Sequence, residues 1–584
     1  MAIAGGGAAV ELRRREAAGS GPSGLPQWLA RVYAARRVTR DQELDYALKG
    51  LARPGELSGL EQALDILMEA VMADARITFV GDFDADGATS CALGVGALRA
   101  MGAGQVDYLV PNRFDFGYGL SPEIVGKAAG ESEPDVIITV DNGIGSHAGV
   151  LAAQQLGITT IITDHHLPGE TLPQADAIVN PNNPGDGFPS KCLAGVGVIF
   201  YVMTALRSRL RADGWFRESG IAEPNLAEYL DLVALGTVAD MVTLDRNNRI
   251  LVSQGLARIR GGRARPGIRA LLEVAGKDPA NLGSRDLGFS IAPRLNAAGR
   301  LEDMTEGIEC LMTDDMDYAR RLARQLDETN QRRREMQSDM VQQAEEAVAR
   351  MHLEASPDGV ALYDESWHQG IVGLIASRVT ELTRRPAIAF APAGEAELKG
   401  SARSVSGVHI RDVLAAMDVE HEGLIERFGG HAMAAGLSIR PDRFERFQGL
   451  FGEYVGRFAG EALDGPHVVY SDGPLAEDEI DVDNARLLQE HGPWGQGFPE
   501  PLFDDTFEVL ERRIVGSGFV RYRLRLPDGR KVFTGICFKP PETETAASPP
   551  DRIHAAYRLS LNDYNGTLSA QLIVEYVWSV TGDR

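Results

Sequence analysis

The 584-residue sequence has few cysteines, no long apolar run and no excess of positive charge. Its four cysteines are far apart and form no Cys-x-x-Cys pair, which argues against a disulfide framework or a zinc site and fits a reducing cytoplasm. No apolar run reaches about 18 residues, so no membrane span is expected. The formal charge of −24, from 59 basic and 83 acidic residues, argues against indiscriminate binding to nucleic acid but not against a local basic groove.

The amino-terminal part of the chain is expected to be a loose tail followed by helices. Residues 1–26 are rich in glycine and alanine and lack the apolar core of a secretory signal. Residues 28–72 are predicted to be helical, with a break at Pro54-Gly55. The length and an apolar fraction of 44% predict three or four domains with sizeable cores.

Short apolar runs alternate with helical segments from Ile77 onward. The runs lie at 77–80, 106–110, 136–140, 159–162 and 177–179. This alternation predicts βαβ units and a parallel sheet. Because ligands of such sheets gather beyond the carboxyl ends of the strands, the polar loops that follow the runs are expected to form one site.

Three aspartates occupy alternate positions directly after the first run, in Gly81-Asp82-Phe83-Asp84-Ala85-Asp86-Gly87. Alternate residues of an extended chain share one face, so the three carboxylates are expected to point together. They repel one another unless a cation lies between them, and Mg²⁺ and Mn²⁺ prefer such oxygen ligands. The alternative is an acidic loop that caps the next helix.

Two further strand ends and one helix end carry matching side chains. Asp141 follows the third run, and Asp164-His165-His166 follows the fourth. Neutral imidazole beside carboxylates is a common metal ligand. Asp240 ends an apolar helical segment and by itself would be interpreted as a capping residue. Together with the aspartates and histidines at the strand ends, it is a candidate metal ligand. The pattern predicts a centre for one or two Mn²⁺ or Mg²⁺ ions.

The ordered set of Asp84 and Asp86, Asp141, Asp164-His165-His166 and Asp240 resembles the DHH phosphoesterase superfamily. The stretches Pro111-Asn112-Arg113 and Ala292-Pro293-Arg294-Leu295-Asn296-Ala297-Ala298-Gly299-Arg300 resemble one branch of it, the bacterial single-strand-specific exonucleases. The resemblance extends from about residue 78 to residue 436 and is expected to continue to the end of the chain.

This resemblance implies a role for each of the matching residues. The implied metal ligands are Asp84, Asp86, Asp141, His165 and Asp240. The implied catalytic or ligand-orienting residues are Asp82, Asp164, His166, Arg294 and Asn296. Arg113 is a candidate for binding phosphate or for pairing with a carboxylate. A phosphate contact is implied for Arg300, and a surface loop with solvated arginines is the alternative for Arg294 and Arg300.

A long helix and a second α/β unit are predicted after the catalytic domain. Residues 308–356 contain no glycine or proline and have a sparse apolar stripe, which is typical of a helix between domains. The second unit contains loops 399–404 and 429–436, and the latter resembles the signature of the domain that accompanies DHH domains. Its candidate phosphate-binding residues are Ser401, Arg403, Gly429, Gly430 and His431, because glycines let backbone amides approach a phosphate. The glycines would otherwise be turn residues, and Arg403 would pair with an acid such as Asp412.

The carboxyl-terminal region is predicted to be a small β-barrel. Strands are expected at 519–526, 531–538, 553–561 and 568–577, separated by turns. The resemblance implies an OB-like fold that binds single strands. Candidate contacts are Phe519, Arg521, Tyr522, Arg523 and Arg525, although alternate positions must divide between core and surface.

We therefore expect an α/β protein with five parts. These are an amino-terminal tail and helical lead-in (1–45), a DHH catalytic domain with a parallel sheet (46–312), a connector helix (313–356), a smaller α/β substrate-binding domain (357–462) and an OB-like barrel (463–584).

The resemblance implies a 5′-to-3′ exonuclease that degrades single-stranded DNA to 5′-mononucleotides in recombination and repair. It implies a cytoplasmic protein that works with single-strand-binding protein and a RecQ-like helicase, and we expect a monomer. A cleft between the two α/β domains is expected to admit one strand and reject a duplex. Two alternatives stay open: a DHH phosphodiesterase for cyclic dinucleotides or short oligonucleotides, and a non-catalytic replication scaffold.

Overall fold

The computed structural model describes residues 2–3, 10–111, 119–350, 358–463, 465, 467–516, 518–541, 544, 550–564 and 567–579. The chain forms two compact units. The first contains Met1–Gly299, Asp303–Arg324 and His467–Arg584, and the second contains Arg300–Glu302 and Gln325–Pro466. Within the described ranges, no helix combines the length and apolar character needed to cross a membrane.

The amino-terminal segment, which was predicted to be a loose tail, contains two short strands. Strand β1 (Ala2–Ile3) pairs antiparallel with β2 (Val10–Arg14), and β2 pairs in parallel with the strand His467–Ser471. The prediction is wrong for residues 10–14 because their partner lies at the other end of the chain, beyond the reach of local pattern. Helix α1 (Gln27–Ala34) follows, and short 3₁₀ turns occupy much of the region before α2 (Leu60–Met72).

A five-stranded parallel sheet forms the centre of the catalytic domain. Its strands are β3 (Ile77–Gly81), β4 (Val106–Leu109), β5 (Val136–Val140), β6 (Thr159–Thr163) and β7 (Ala177–Val179). The order is β4-β3-β5-β6-β7, and the register places Gly81, Val140, Thr163 and Val179 side by side in neighbouring strands. The predicted parallel sheet is confirmed, and its carboxyl ends meet at one edge.

Helices cover this sheet and carry several of the predicted site residues. Besides α2, they are α3 (Ala85–Ala100), α4 (Pro122–Glu131), α5 (His147–Gln155), α6 (Gly195–Ala212), α7 (Trp215–Ser219), α8 (Leu230–Ala239), α9 (Arg246–Arg260), α10 (Pro266–Val274), α11 (Ser284–Asp286), α12 (Ala292–Leu301) and α13 (Thr305–Met312). The segment Leu287–Ile291, directly before α12, is a π-helical turn.

Helix α14 (Met316–Arg350) is the long helix predicted from the composition. It begins after Thr313 and Asp315, because these side chains accept hydrogen bonds from the main chain that leads into the helix. Its first residues belong to the first compact unit and the remainder belongs to the second.

The second unit is a five-stranded mixed sheet with helices on both faces. Its elements are β8 (Val360–Tyr363), α15 (Val372–Thr383), β9 (Ala387–Pro392), β10 (Leu398–Arg403), α16 (Ile410–Glu420), β11 (Arg427–Gly430), β12 (Ala434–Ile439) and α17 (Phe444–Ala459). The strand order is β11-β12-β10-β9-β8. One core joins α14 and α15 to the sheet, and another contains residues of α16 and α17.

The carboxyl-terminal region contains β13 (His467–Ser471), α18 (Val482–Glu490) and a closed barrel. The barrel strands are β14 (Phe503–Val515), β15 (Phe519–Arg525), β16 (Phe533–Cys537), β17 (Arg552–Tyr564) and β18 (Thr567–Ser579), in the order β14-β15-β16-β18-β17. The predicted fold class is confirmed. The prediction that Tyr522 contacts DNA conflicts with its position in the barrel core, where its hydroxyl donates to Glu544 Oε2 at 2.8 Å.

Candidate metal centre

The predicted metal ligands converge at the carboxyl edge of the parallel sheet. The loop after β3 carries Asp82 and Asp84, and Asp86 lies in the first turn of α3. Asp141 directly follows β5, and Asp164 directly follows β6. Because β3, β5 and β6 are neighbours, their ends bring together residues that are far apart in sequence.

Three overlapping groups of side chains have ligand atoms within 4.8 Å of one another. The first contains Asp141, Asp164, His165 and His166. The second contains Asp86, His165 and Asp240, and the third contains Asp82, Asp84 and Asp141. Since Asp141 and His165 each belong to two groups, the residues form one continuous cluster.

Asp84 and Asp86 are held by backbone amides at two helix starts. Asp84 caps α3, where its Oδ1 accepts from the amides of Asp86 at 2.9 Å and Gly87 at 3.0 Å. Asp86 is buried, and its two oxygens accept from the first amides of α6, Gly195 at 2.6 Å and Val196 at 3.0 Å. Capping and metal binding are thus compatible for this loop, because amide donors orient carboxylates for a ligand.

Asp141 and Asp240 both approach the same nitrogen of the His165 ring. His165 Nε2 is 3.0 Å from Asp141 Oδ1 and 3.4 Å from Asp240 Oδ2. Asp141 has a φ of +62°, a left-handed conformation that is uncommon for a residue other than glycine. Such strain at a residue in a polar cluster is typical of a functional site.

Asp164 orients both histidines. Its Oδ1 accepts from the His165 amide at 2.7 Å and from the His166 amide at 3.1 Å, and it lies 2.7 Å from His166 Nδ1. Its Oδ2 accepts from the Ile144 amide at 2.9 Å. Burial opposes ionisation of Asp164, but its contact with the His166 ring and the bond from the Ile144 amide keep its pKa below the usual value. The geometry agrees with an orienting role.

Burial and mutual repulsion shift the pKa values of several side chains in this cluster. Burial, followed by the charge of Asp84, raises the pKa of Asp86 to about 7. Burial and the neighbouring aspartates also raise the pKa of Asp141 and of Asp240 well above the usual value. Burial and nearby His166 lower the pKa of His165 to about 4, which keeps this ring neutral.

The side chains fit a hard divalent cation. Carboxylate oxygens and neutral imidazole are the donor types that Mn²⁺ and Mg²⁺ bind in proteins. Asp240 Oδ2 is buried and accepts no hydrogen bond among the described residues, with His165 Nε2 3.4 Å away, and a cation would satisfy it. The cluster is therefore suited to binding Mn²⁺ or Mg²⁺.

Helix α12 approaches the aspartate loop closely. Asn296 Oδ1 accepts from the Ala85 amide at 2.7 Å, at the start of α3. A Cβ at Gly299 would lie 1.7 Å from Phe83 O, so only glycine fits this approach. Arg294 is buried and donates to Ser290 O one turn earlier. These contacts place Asn296 as a support of the loop between two predicted metal ligands.

Apart from Arg113, the other predicted phosphate-binding residues lie in the second unit. Arg300 donates from Nη1 to Gly370 O at 3.2 Å. Ser401 and Arg403 lie on β10, and the register aligns Ser401 with Gly436 and Gly436 with Gly429 across three strands. Gly430 is adjacent on β11, and His431 is exposed directly after it.

Arg403 is a partly buried guanidinium without an acidic partner among the residues that the structure describes. Its Nη1 donates to Ser401 Oγ at 3.1 Å and to Ala402 O at 2.8 Å, and burial lowers its pKa. Asp412, the alternative partner, lies 3.1 Å from His409 Nδ1. Arg113 lies outside the described residues.

The amides of Gly195 and Val196 were not found by sequence reasoning. A helix start after Ala194 has no capping side chain, so the sequence carries no local sign that its amides bind a carboxylate. The glycines of Gly195-Val196-Gly197 were a weak signal, because glycine at a helix start permits close approach of another chain segment.

Family models match three parts of the chain. The DHH family N-terminal domain matches residues 76–237, the DHHA1 domain matches residues 356–457, and the RecJ OB domain matches residues 471–576.

Whole-chain comparisons agree with these matches. The chain is 53% identical to the single-stranded-DNA-specific exonuclease RecJ of Dickeya dadantii (strain 3937), over 97% of this chain and 99% of the relative. It is 51% identical to the protein of that name from Escherichia coli (strain K12), over 98% and 99% of the two chains. A crystal structure of RecJ in complex with Mn²⁺ from Thermus thermophilus is 30% identical, covers 98% of this chain and 80% of its own, and has a TM-score of 0.78.

The parallel sheet with aspartates and a His-His pair at its carboxyl edge, together with the matched domains, defines a metal-dependent DHH phosphoesterase. Identity of about half over nearly the whole chain is more specific. The chain belongs to the RecJ family of single-stranded-DNA-specific exonucleases.

Proposed function

We propose that this protein is a metal-dependent exonuclease that degrades single-stranded DNA from the 5′ end and releases 5′-mononucleotides during recombination and repair. The observation that carries the proposal is the cluster of six carboxylates and two imidazoles at the sheet edge, on a chain of this family. A non-catalytic scaffold is disfavoured because the implied ligand set is complete. The barrel disfavours a dinucleotide phosphodiesterase.

The residues of the cluster divide into binding and orienting roles. The proposed ligands are Asp82, Asp84, Asp86, Asp141, His165 and Asp240. Asp82 joins this set because its oxygens group with those of Asp84 and Asp141, whereas sequence reasoning assigned it an orienting role. When bound, the divalent ions lower the pKa of water and offset the charge of the attacked phosphodiester.

Two basic groups are suited to the developing charge of the transition state. Burial opposes protonation of His166, but its contact with Asp164 raises its pKa. The protonated ring can donate from Nε2 to a phosphoryl or leaving oxygen. Arg294 supplies a guanidinium from α12 for the same charge. Positioning and electrostatic stabilisation of this kind supply most of the catalysis in phosphoryl transfer.

The proposal is tested by digestion of 5′- and 3′-end-labelled DNA with and without Mn²⁺. Single strands should be cut in an Mn²⁺-dependent manner, with 5′-mononucleotides released first from the 5′ label, while blunt duplexes should resist. Equal rates on a dinucleotide and a long strand would favour the phosphodiesterase instead. Absence of any Mn²⁺-stimulated cutting would favour the scaffold.

We further propose that the second unit binds the terminal 5′-phosphate. Arg403 and Ser401 face the start of α15, since a Cβ at Gly373 would lie 3.1 Å from both Arg403 Nη2 and Ser401 Oγ. The amides at a helix start favour anions, and an unpaired guanidinium offers a two-pronged contact to phosphate oxygens. The bare face at Gly429 and Gly436, where added Cβ atoms would meet nothing within 4 Å, leaves room for a strand.

Arg403→Ala is expected to slow cutting of 5′-phosphorylated strands about tenfold or more relative to 5′-hydroxyl strands. A hydrogen bond to a charged group contributes about 1.5–3 kcal/mol. Because a terminal phosphate carries extra negative charge, 5′-phosphorylated strands should lose more of this stabilisation than 5′-hydroxyl strands. The measurement is the phosphate-to-hydroxyl rate ratio in single-turnover reactions at saturating Mn²⁺. Arg427→Ala is the matched control, because that guanidinium already pairs with Glu397 at 2.6 Å. An unchanged ratio for Arg403→Ala would exclude Arg403 as the end sensor.

We propose that the outer face of β15 binds the part of the single-stranded DNA that lies beyond its 5′ end. Arg521 and Arg523 are exposed there, with Arg523 Nη1 3.5 Å from Glu511 Oε2, while Arg525 lies 2.7 Å from Glu508. Phe519 packs edge-on against the half-exposed Phe538 with ring centroids 5.1 Å apart. Basic side chains beside exposed rings are typical of single-strand binding on OB folds.

Arg521→Ser/Arg523→Ser is expected to weaken binding of long single strands about tenfold without slowing single-turnover cutting of short ones. The slope of log K against log salt should become shallower by up to about 1.4, at about 0.7 per lost phosphate contact on single strands. The control Arg76→Ser/Arg209→Ser removes the same charge from the catalytic domain. Equal losses of single-turnover rate on long and short strands would contradict the proposal that the barrel binds the DNA while the catalytic domain cuts it. Removing the barrel is a poorer test, since Arg14 Nη2 lies 3.0 Å from Asp504 Oδ2 of β14.

Single-strand specificity motivates the proposed partners. A nuclease that acts on single strands needs an enzyme that separates a duplex, so a RecQ-like helicase and single-strand-binding protein are proposed. We also propose that the protein acts as a monomer. A cytoplasmic location is proposed as well, and the four free cysteines support it because they fit a reducing compartment.

A further inference from the structure

We infer that Asn180 and Asn182, in the loop after β7, are positioning residues that set the metal affinity of this centre. Asn182 Nδ2 donates to His165 O at 2.6 Å and, at the longer distance of 3.2 Å, to Lys191 O, while Asn180 Nδ2 donates to His166 O at 2.9 Å. Each asparagine thus holds the main chain of one of the two histidines. The inference rests on the proposed function, because it concerns the same metal centre.

The sheet register explains why this loop meets the histidines. Strand β7 pairs in parallel with β6, and Val179 lies beside Thr163. The residues that follow the two strands therefore leave the sheet at the same edge, one strand apart. The Asp164 amide also donates to Val179 O at 3.1 Å, which continues the pairing beyond the end of β6.

Only an amide side chain satisfies both sides of the Asn180 position. Asn180 is fully buried, its Nδ2 donates to His166 O, and its Oδ1 accepts from the Asn182 amide at 2.8 Å. An aspartate would place a second acceptor against the His166 carbonyl, and alanine would leave that carbonyl without this donor. Burial makes either loss costly.

The asparagine loop is itself anchored to the body of the domain. Lys191 Nζ donates to Pro181 O at 2.6 Å and lies 2.9 Å from Asp186 Oδ1. The Asp186 side chain is completely buried, and its Oδ2 accepts from the amide of Ser58 at 2.7 Å and from its hydroxyl at 2.8 Å. The loop is thus tied to the residues that lead into α2, so it provides a fixed support.

Movement of the histidine main chain would spoil the ligand geometry. His165 Nε2 is 3.0 Å from Asp141 and 3.4 Å from Asp240, and a shift of its Cα by a fraction of an ångström changes both distances. Residues that orient metal ligands typically change metal affinity about 10–100-fold when they are replaced. Asn180 and Asn182 act through the histidines, since their side-chain nitrogens are directed at carbonyl oxygens.

The test measures Mn²⁺ binding to DNA-free protein by electron paramagnetic resonance, together with the melting temperature in EDTA. Asn182→Ala is expected to weaken Mn²⁺ binding about 10–100-fold. Its metal-free melting temperature should stay within a few degrees of wild type, because Asn182 is partly exposed and Lys191 Nζ keeps its contacts with Pro181 O and Asp186 when the bond from Asn182 to Lys191 O is lost. Excess Mn²⁺ should restore most of the cutting rate.

Asn183→Ala is the matched control from the same loop. Its Nδ2 donates to Ile178 O at 3.3 Å and not to a histidine, so Mn²⁺ affinity should stay within about twofold of wild type. Asn180→Ala should weaken Mn²⁺ binding as Asn182→Ala does, and if its burial prevents folding, Asn182→Ala carries the test.

The outcomes separate this inference from the proposed function. If wild-type protein binds no Mn²⁺, the metal centre itself is wrong and both fail. If wild type binds Mn²⁺ and Asn182→Ala binds it equally well, or no more weakly than Asn183→Ala, only the positioning role is overturned. A lowered melting temperature with unchanged Mn²⁺ affinity would assign Asn182 to loop stability alone.

Discussion

Replacement of Asp141 or His165 by alanine is expected to reduce hydrolysis of single-stranded DNA by at least about 1,000-fold. A metal ion supplies several kcal/mol of transition-state stabilisation, and 1.36 kcal/mol corresponds to a factor of ten. Both residues belong to two of the three ligand groups, so each change weakens the whole cluster. Burial raises the pKa of Asp141 well above its usual value, so its removal should not destabilise the metal-free protein.

Single-turnover rates at saturating Mn²⁺ and the melting temperature in EDTA provide the measurement. Asp141→Asn separates charge from backbone strain, because asparagine tolerates the left-handed conformation at φ +62° better than alanine. Glu170→Ala is the control, since it removes an exposed carboxylate shortly after the histidine pair. Activity of Asp141→Ala or His165→Ala within about threefold of wild type, far less than a metal ion supplies, would contradict the ligand assignment.

Gly195→Ala is expected to lower kcat/KM at least about 100-fold although the residue carries no functional group. The added Cβ would lie 2.5 Å from Asp141 Cβ and 2.8 Å from its Cα, which is closer than such atoms approach. Either the Asp141 turn or the start of α6 must move. Movement of the start of α6 would also withdraw the Gly195 amide from Asp86 Oδ2. An ångström of misplacement at a reacting centre costs on the order of 100-fold.

Mn²⁺ affinity and kcat/KM of Gly195→Ala should fall together, since the same movement disturbs two ligands. Gly126→Ala is the control, because it adds a methyl group in α4 where nothing lies within 4 Å. That substitution should leave activity unchanged and stabilise the helix by up to about 1 kcal/mol. A Gly195→Ala enzyme with activity within about threefold of wild type, far from the loss that misplacement predicts, would show that this contact does not constrain the site.

Much of the candidate site was predictable from the sequence because its signals are local. The strand ends before Asp141 and Asp164 predicted a common sheet edge. The shared face predicted for Asp82, Asp84 and Asp86 holds for Asp82 and Asp84 only, because α3 begins at Ala85 and Asp86 groups with His165 and Asp240 instead. The family resemblance then supplied polarity and substrate, which the residue types do not. The five strands of the catalytic sheet were predicted for a similar reason, since their apolar runs are short and bounded by polar loops.

The sequence by itself determined the domain types, the catalytic sheet and the identity of the candidate ligands. The tertiary structure decided which groups support them: the α6 amides at Asp86, Asn296 at the start of α3, and the asparagine loop behind the histidines. It also paired residues 10–14 with β13 and buried Tyr522. These contacts join residues that are distant in sequence through backbone atoms, which every residue carries, so no residue pattern announces them before the chain has folded.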